Sequence, residues 1–149
     1  MTSAILSLLV TTTITSVAMA SDDEALVQKA LVDSYHAYSQ GNKVAARKLC
    51  ADEYMVIEKG EILNFEQDFA FFLPLSTGKV KRSDSLDFKK VKVCGQFAYA
   101  VYFLTSIIEK EGKITQRRWY ESAVLTKGEN GWLISLIHST EFTTPAATK

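Results

Sequence analysis

From Ser85 to Phe142 the chain reads as four long β segments, 86–93, 97–109, 114–127 and 132–142, separated by three short breaks that each contain glycine. The breaks are Cys94-Gly95-Gln96, Lys110-Glu111-Gly112-Lys113 and Gly128-Glu129-Asn130-Gly131, with the length and residue types of hairpin turns. Strands joined by such turns run antiparallel, so this half of the chain predicts a meander, and whatever precedes it must pack on that sheet.

Upstream, the periodicity is helical. Ser21-Asp22-Asp23-Glu24 reads as a capping box, and Leu26, Val27, Ala30, Leu31, Tyr35 and Tyr38 recur at helical spacing until Gly41 supplies a stop. A second, shorter helix is predicted from Asn42 to about Cys50, with Val44, Ala45 and Leu49 inward. Residues 54–58 read as a strand, and Lys59-Gly60 turns the chain. Asn64 with Gln67 caps a third helix whose apolar face is Phe65, Phe69, Phe72 and Leu73, and Pro74 ends it. Residues 75–83 are polar, basic and Gly-containing, and read as an exposed connection. Helices first and a meander after is an α+β layout.

Two of the strands are apolar on both faces. Trp132, Ile134 and Leu136 alternate with Leu133 and Ile137, while Phe97, Tyr99, Val101 and Phe103 alternate with Ala98, Ala100, Tyr102 and Leu104. A sheet with one wet face alternates apolar with polar, so both faces need cover. Helices cover one; a second copy of the sheet is the simplest cover for the other, which predicts a homodimer through the sheet face, and the alternative is cover by tail and loops.

With 149 residues, 47% hydrophobic and 23% charged, one core-forming domain is expected. Seventeen basic and seventeen acidic residues cancel, so no field draws the chain to nucleic acid. The one basic cluster, Lys79, Lys81, Arg82, Lys89, Lys90 and Lys92, is interrupted by Asp84 and Asp87 and reads as a solvated edge strand. There is no Gly-rich phosphate loop, no nucleophile elbow and no zinc-protease motif. Only His36 and His138 are available as imidazole ligands and no Cys-x-x-Cys occurs, so neither a metal nor a cofactor is expected.

Met1 to Ala20 carry no charge, contain the apolar run 5–10, and end in Ala18-Met19-Ala20. This matches a signal peptide cleaved after Ala20, although its start lacks a basic residue; the alternative is a peripheral N-terminal segment. The expected division is a leader over 1–20, a domain over 21–142 and a frayed tail over 143–149, in a periplasmic or secreted protein with no membrane span after cleavage. Export would place Cys50 and Cys94 in an oxidising compartment, where they can pair, but two separated cysteines do not establish the geometry, and two buried or free thiols are expected with a disulfide as the alternative. Asn42, Asn64 and Asn130 all lack the glycosylation acceptor pattern.

Several stretches resemble the nuclear-transport-factor-2-like (NTF2-like) superfamily, in its SnoaL-like, DUF4440-type branch: 34–42 at the end of the first helix, 51–61, Trp119-Tyr120-Glu121-Ser122-Ala123-Val124-Leu125, and Gly131-Trp132-Leu133-Ile134 through His138-Ser139-Thr140. The resemblance implies a cone-shaped, cystatin-like fold in which three N-terminal helices pack into a strongly curved antiparallel sheet. Carried over residue by residue from the ketosteroid isomerases of that superfamily, a helix-one tyrosine falls on Tyr35 and the catalytic carboxylate on Glu58. Their second carboxylic acid falls near Ala123 and is absent, with Glu121 one pleat away on the same face. The pocket positions of the last strand fall on Leu136, His138 and Thr140.

Alternation puts Trp119, Glu121 and Ala123 on one face, and Tyr54, Val56 and Glu58 on one face of their own strand. The resemblance implies that these faces converge, giving a pocket of Tyr35, Tyr54, Glu58, Phe69, Phe72, Trp119, Glu121, Leu136, His138 and Thr140, with Glu58 as base and Tyr35 and His138 as oxyanion donors if it is catalytic. Plainer readings stand beside these. Tyr35 would be a packing aromatic, Glu58 a solvated rim residue, Glu121 and His138 a buried structural pair joined by Arg117 or Arg118, the two tryptophans core, and His36 exposed. The first functional expectation is an exported domain binding a small, partly apolar molecule. The alternatives are a cofactor-free isomerase or lyase and a non-catalytic dimeric interaction module.

Overall fold

The computed structural model describes residues 15–142, with the side chains of 15–21 left aside. The proposed tail and most of the proposed leader lie outside the described residues. Helix α1 spans Thr15–Ser39, so it runs through Ser21 rather than being capped there. Gly41 ends it, with φ +62°, while its N–H and that of Asn42 bond back to the carbonyls of Tyr38 and Ala37. That pair of bonds, with a left-handed glycine between helix and exit, is a Schellman cap. A Cβ on Gly41 would meet the Ser76 backbone nitrogen at 2.5 Å, so the position needs glycine twice over.

Helix α2 is shorter than expected, Lys43–Arg47, and Asn42 caps it by accepting the Ala45 N–H. Ala46 is the residue it buries, whereas Val44, expected inward, is exposed. Strand β1, Cys50–Glu58, starts four residues before the sequence signal and forms a hairpin with β2, Glu61–Asn64. Asn64 and Gln67 form the expected capping box of α3, Phe65–Ala70. A 3-10 turn over Leu73–Thr77 follows, with Pro74 at its start, and the chain enters β3, Val80–Cys94, six residues before the first expected strand position. Those first residues look like a loop because their inward positions, Arg82 and Asp84, are charged; the two satisfy each other at 2.9 Å. Strands β4, Phe97–Lys110, β5, Lys113–Gly128, and β6, Gly131–Glu141, complete the meander.

The sheet order is β2-β1-β6-β5-β4-β3, curved and unclosed, with helices on its inner face. The four strands β3 to β6 alternate in direction as predicted from the hairpins and β1 is antiparallel to β2, but β1 lies parallel to β6, so the sheet is mixed rather than antiparallel throughout. The core between helices and sheet holds Val27, Leu31, Leu125, Ile134 and Phe69, each essentially inaccessible and contributing roughly 1.5–3 kcal/mol of burial. Cys50 is buried and Cys94 exposed, and both are free thiols, so the disulfide alternative is not realised.

Strand β6 contains the feature that sets its orientation. Leu125 pairs with Ile134 but Val124 pairs with Leu136, leaving Ser135 as an extra residue. A one-residue bulge reverses which side chains face in. Trp132 and Ile134 point to the core before it; Ile137 and Ser139 do so after it.

Candidate functional site

A row of polar side chains crosses the inner face of the sheet. Tyr102 on β4 pairs with Glu121 on β5, Glu121 with Ser139 on β6, and Ser139 with Glu58 on β1. Helix α1 lays Tyr35 over this row. The Tyr35 hydroxyl donates to Glu121 Oε2, and Ser139 Oγ donates to Oε1 at 2.7 Å. Glu121 is only 5% exposed, and burial raises its pKa, opposed by the hydroxyls that donate to it.

A second buried carboxyl faces it. Asp68 on α3 accepts from Tyr38 at 2.7 Å and from Tyr54 at 2.8 Å, both at Oδ2. Burial raises its pKa as well, again opposed by the two phenols. Desolvation pushes all four phenols, Tyr35, Tyr38, Tyr54 and Tyr102, above the ordinary range, so they act as neutral donors. Glu58 stands at the edge of the group, accepting the Trp119 indole N–H at 3.2 Å. Trp119 is held from outside by the Arg117 guanidinium, 5.0 Å from its ring centre, and Arg117 is fixed by Glu141 at 2.6 Å. Arg82 reaches across from β3, 4.8 Å from the Phe72 ring centre.

These residues enclose a cavity of about 60 Å³ between α1, α3 and the sheet, lined by Tyr35, Tyr38, Tyr54, Glu58, Asp68, Phe72, Arg82, Trp119, Glu121 and Ser139 among others. At roughly 10–30 Å³ per water it holds a few waters or a very small chemical group. An outer cleft of about 560 Å³ shares Glu58, Asp68, Phe72, Arg82 and Trp119 with it and adds Leu63, Phe71, Pro74, Leu75, Val80 and Ile108 together with the charged side chains of Lys59, Glu61, Lys110 and Arg117. The site is therefore a small chamber with buried carboxyls opening into a larger vestibule of mixed apolar and charged lining.

Of the residues expected from sequence, Tyr35, Tyr54, Glu58, Phe72, Trp119 and Glu121 meet here. Phe69 lies in the packed wall, stacked on Phe65, rather than on the cavity. Leu136, His138 and Thr140 do not join the site: the Ser135 bulge puts them on the outer face, with His138 exposed. A buried Glu121–His138 pair is thereby excluded, and His138 cannot donate into the cavity. His36 is exposed as expected.

Asp68, Tyr38, Arg82 and Ser139 were missed. Asp68 carried a signal, since Phe65, Asp68, Phe69 and Phe72 share one helical face and a carboxylate within an apolar stripe calls for a partner. Ser139 had none without the bulge. Among the described residues no group of His, Cys, Asp and Glu is arranged to hold a metal, and no helix is long and apolar enough to cross a membrane.

No protein-family model and no curated protein sequence matches the chain. Solved structures do. An NTF2-like superfamily protein from Salmonella enterica is 19% identical with a TM-score of 0.69, covering 85% of this chain and 96% of its own. A ketosteroid isomerase-like protein from Erwinia carotovora atroseptica is 14% identical with a TM-score of 0.66, over 83% of this chain and 98% of its own. A CaMKII hub from S. rosetta is 16% identical with a TM-score of 0.68, over 80% and 96%. The likeness covers nearly the full length of each neighbour, and the chain has the fold of the NTF2-like proteins.

Proposed function

We propose that the protein is an exported, SnoaL-like or DUF4440-type binding domain that takes a small, partly apolar molecule into the cone between α1, α3 and the sheet. The observation that carries this reading is the chamber, in which the buried Glu121 and Asp68 are kept beneath a wider vestibule of mixed apolar and charged lining. Buried carboxyls cost stability, and a core built for stability alone would replace them with apolar side chains. Export rests on the uncharged run Met1 to Ala20 and its Ala18-Met19-Ala20 ending, and places the mature protein in the periplasm or outside the cell.

Homodimerisation belongs to the same proposal. The outer sheet face exposes Phe97, Tyr99, Val101, Tyr120 and Val124 over adjacent strands, a contiguous apolar surface of the kind that marks an interface. A neighbour of the same fold is a hub domain, which fits assembly through this architecture.

A second reading, proton abstraction by Glu58 in a cofactor-free isomerase or lyase, is favoured by one observation. Glu58 borders both the chamber and the vestibule with its carboxylate oriented by Trp119. Its oxyanion donors differ from those expected, because His138 faces away and Tyr35 already donates to Glu121.

The test is a fluorescence titration of the Trp132→Phe protein, which leaves Trp119 as sole indole reporter, against a panel of small amphipathic molecules. Saturable change with at least one class supports the pocket, and a flat response across the panel overturns it. Turnover of a carbonyl compound that Glu58→Gln abolishes would select the second reading.

A further inference from the structure

The direction of the hydrogen bonds inside the chamber determines what it offers a ligand. Tyr35 and Ser139 each donate to Glu121, and Tyr38 and Tyr54 both donate to Asp68 Oδ2. Four hydroxyl protons are committed to the protein's own carboxyls. What these groups leave towards the cavity is acceptor capacity: carboxylate oxygens, including Asp68 Oδ1, which receives no hydrogen bond among the described residues, and the lone pairs of the phenols, with the Ser34 hydroxyl and the Arg82 guanidinium as the donors beside them.

The charge on the wall has the same bias. Glu58, Asp68 and Glu121 line the cavity against one cation, Arg82, whose Nε already binds both oxygens of Asp84 at 2.9 and 3.0 Å. Around the carboxyls stand the rings of Tyr35, Tyr38, Tyr54, Phe72 and Trp119, whose faces attract cations.

Resting on the reading of the cavity as a ligand site, we propose that its occupant is an organic cation: a primary or methylated ammonium group seated between Asp68 and Glu121, carried on an apolar body that lies in the vestibule. An ammonium brings donors and no acceptor, which is the complement of this wall. Its size suits a chamber of about 60 Å³, whereas a fused-ring system stays outside, against Phe71, Pro74 and Leu75.

The probes are hexylammonium, hexanol and hexanoate, which share an apolar chain and differ in the head group, titrated by calorimetry into the full-length mature dimer or monomer as purified. The expected result is saturable binding of hexylammonium at least about tenfold tighter than hexanol, with hexanoate weaker still, as charged hydrogen bonds are worth that much. Asp68→Asn and Glu121→Gln keep acceptors for the tyrosines while removing charge, and each should weaken hexylammonium about tenfold with hexanol within about twofold. Preference for hexanol or hexanoate overturns the cation assignment and leaves the pocket standing. Absence of binding by all three removes the assignment together with the pocket that it needs. Because the head-group comparison uses the unaltered protein, it decides the matter even if a variant fails to fold.

Discussion

Tyr35 and Glu121, 86 residues apart in sequence, are joined by a hydrogen bond that ties the inner face of α1 to the middle of the sheet. The bond ties packing to chemistry: the same contact that docks the helix holds a carboxyl beneath the cavity floor. Removing the phenol leaves a buried carboxyl with one donor fewer, and hydrogen bonds to such groups are worth about 1.5–3 kcal/mol. Tyr35→Phe should therefore destabilise the domain by about that amount in urea unfolding. In a double-mutant cycle with Glu121→Gln, the coupling should be non-zero, and strict additivity would show that the two groups do not interact.

The pH dependence of stability follows from the raised carboxyls. Glu121 and Asp68 titrate above their ordinary values of 4.5 and 3.8 because burial disfavours their charged forms. Between the ordinary and the raised value the folded protein retains protons that the unfolded chain has lost, so stability falls as pH rises through that window. Glu141 works in the opposite sense: its pKa is lowered by Arg117, so its contribution is present above the ordinary value and lost as pH falls. Glu141 is common to the wild type and Glu121→Gln and cancels in their difference. The stability of Glu121→Gln relative to wild type should therefore rise as pH increases from about 4 towards neutrality, measured as urea midpoints across pH.

Much of this architecture is legible in the sequence, and the failures have physical causes. The three hairpin breaks, the Asn42 and Asn64 caps and the Gly41 stop are local signals, and each appears where local chemistry places it. The Trp119–Glu121–Ala123 and Tyr54–Val56–Glu58 faces follow from strict alternation, which holds through those segments. His138 was misplaced because alternation fails at Ser135, where an extra residue reverses the strand without any glycine or proline to announce it. The start of β3 was hidden because Arg82, Asp84 and Ser106 satisfy one another across strands, a long-range compensation that makes charged residues acceptable facing inward. The parallel β1–β6 pairing joins strands too distant in sequence for any turn to report it.

Gly41 couples the end of α1 to the rim of the vestibule. A methyl group there meets the Ser76 backbone at 2.5 Å and sits at φ +62°. Gly41→Ala should cost at least about 1 kcal/mol from the left-handed backbone alone, plus the displacement of the 3-10 turn Leu73–Thr77. Thermal unfolding reads the loss, and amide shifts confined to 73–78 would locate it.

The proposed dimer face is tested where no pocket residue is touched. Val124 is 37% exposed on the outer side of β5, opposite in orientation to Glu121 and Ala123. Val124→Lys should yield a monomer in light scattering with little change in monomer fold, since surface substitutions away from packed features usually shift stability by about 0.5 kcal/mol or less. A wild-type protein that is already monomeric at micromolar concentration would refute the dimer. Ile137 is 6% exposed and faces the core, so a charge there tests folding instead.

The central claim is that small molecules enter between α1, α3 and the inner sheet face. Its most direct test is a fragment screen followed by amide and side-chain chemical shifts on uniformly labelled protein. The expected result is a set of binders whose perturbations converge on Tyr35, Tyr54, Asp68, Trp119 and Glu121. Binders that perturb only the outer face around Tyr120, Val124 and His138, or a screen without binders, would contradict it.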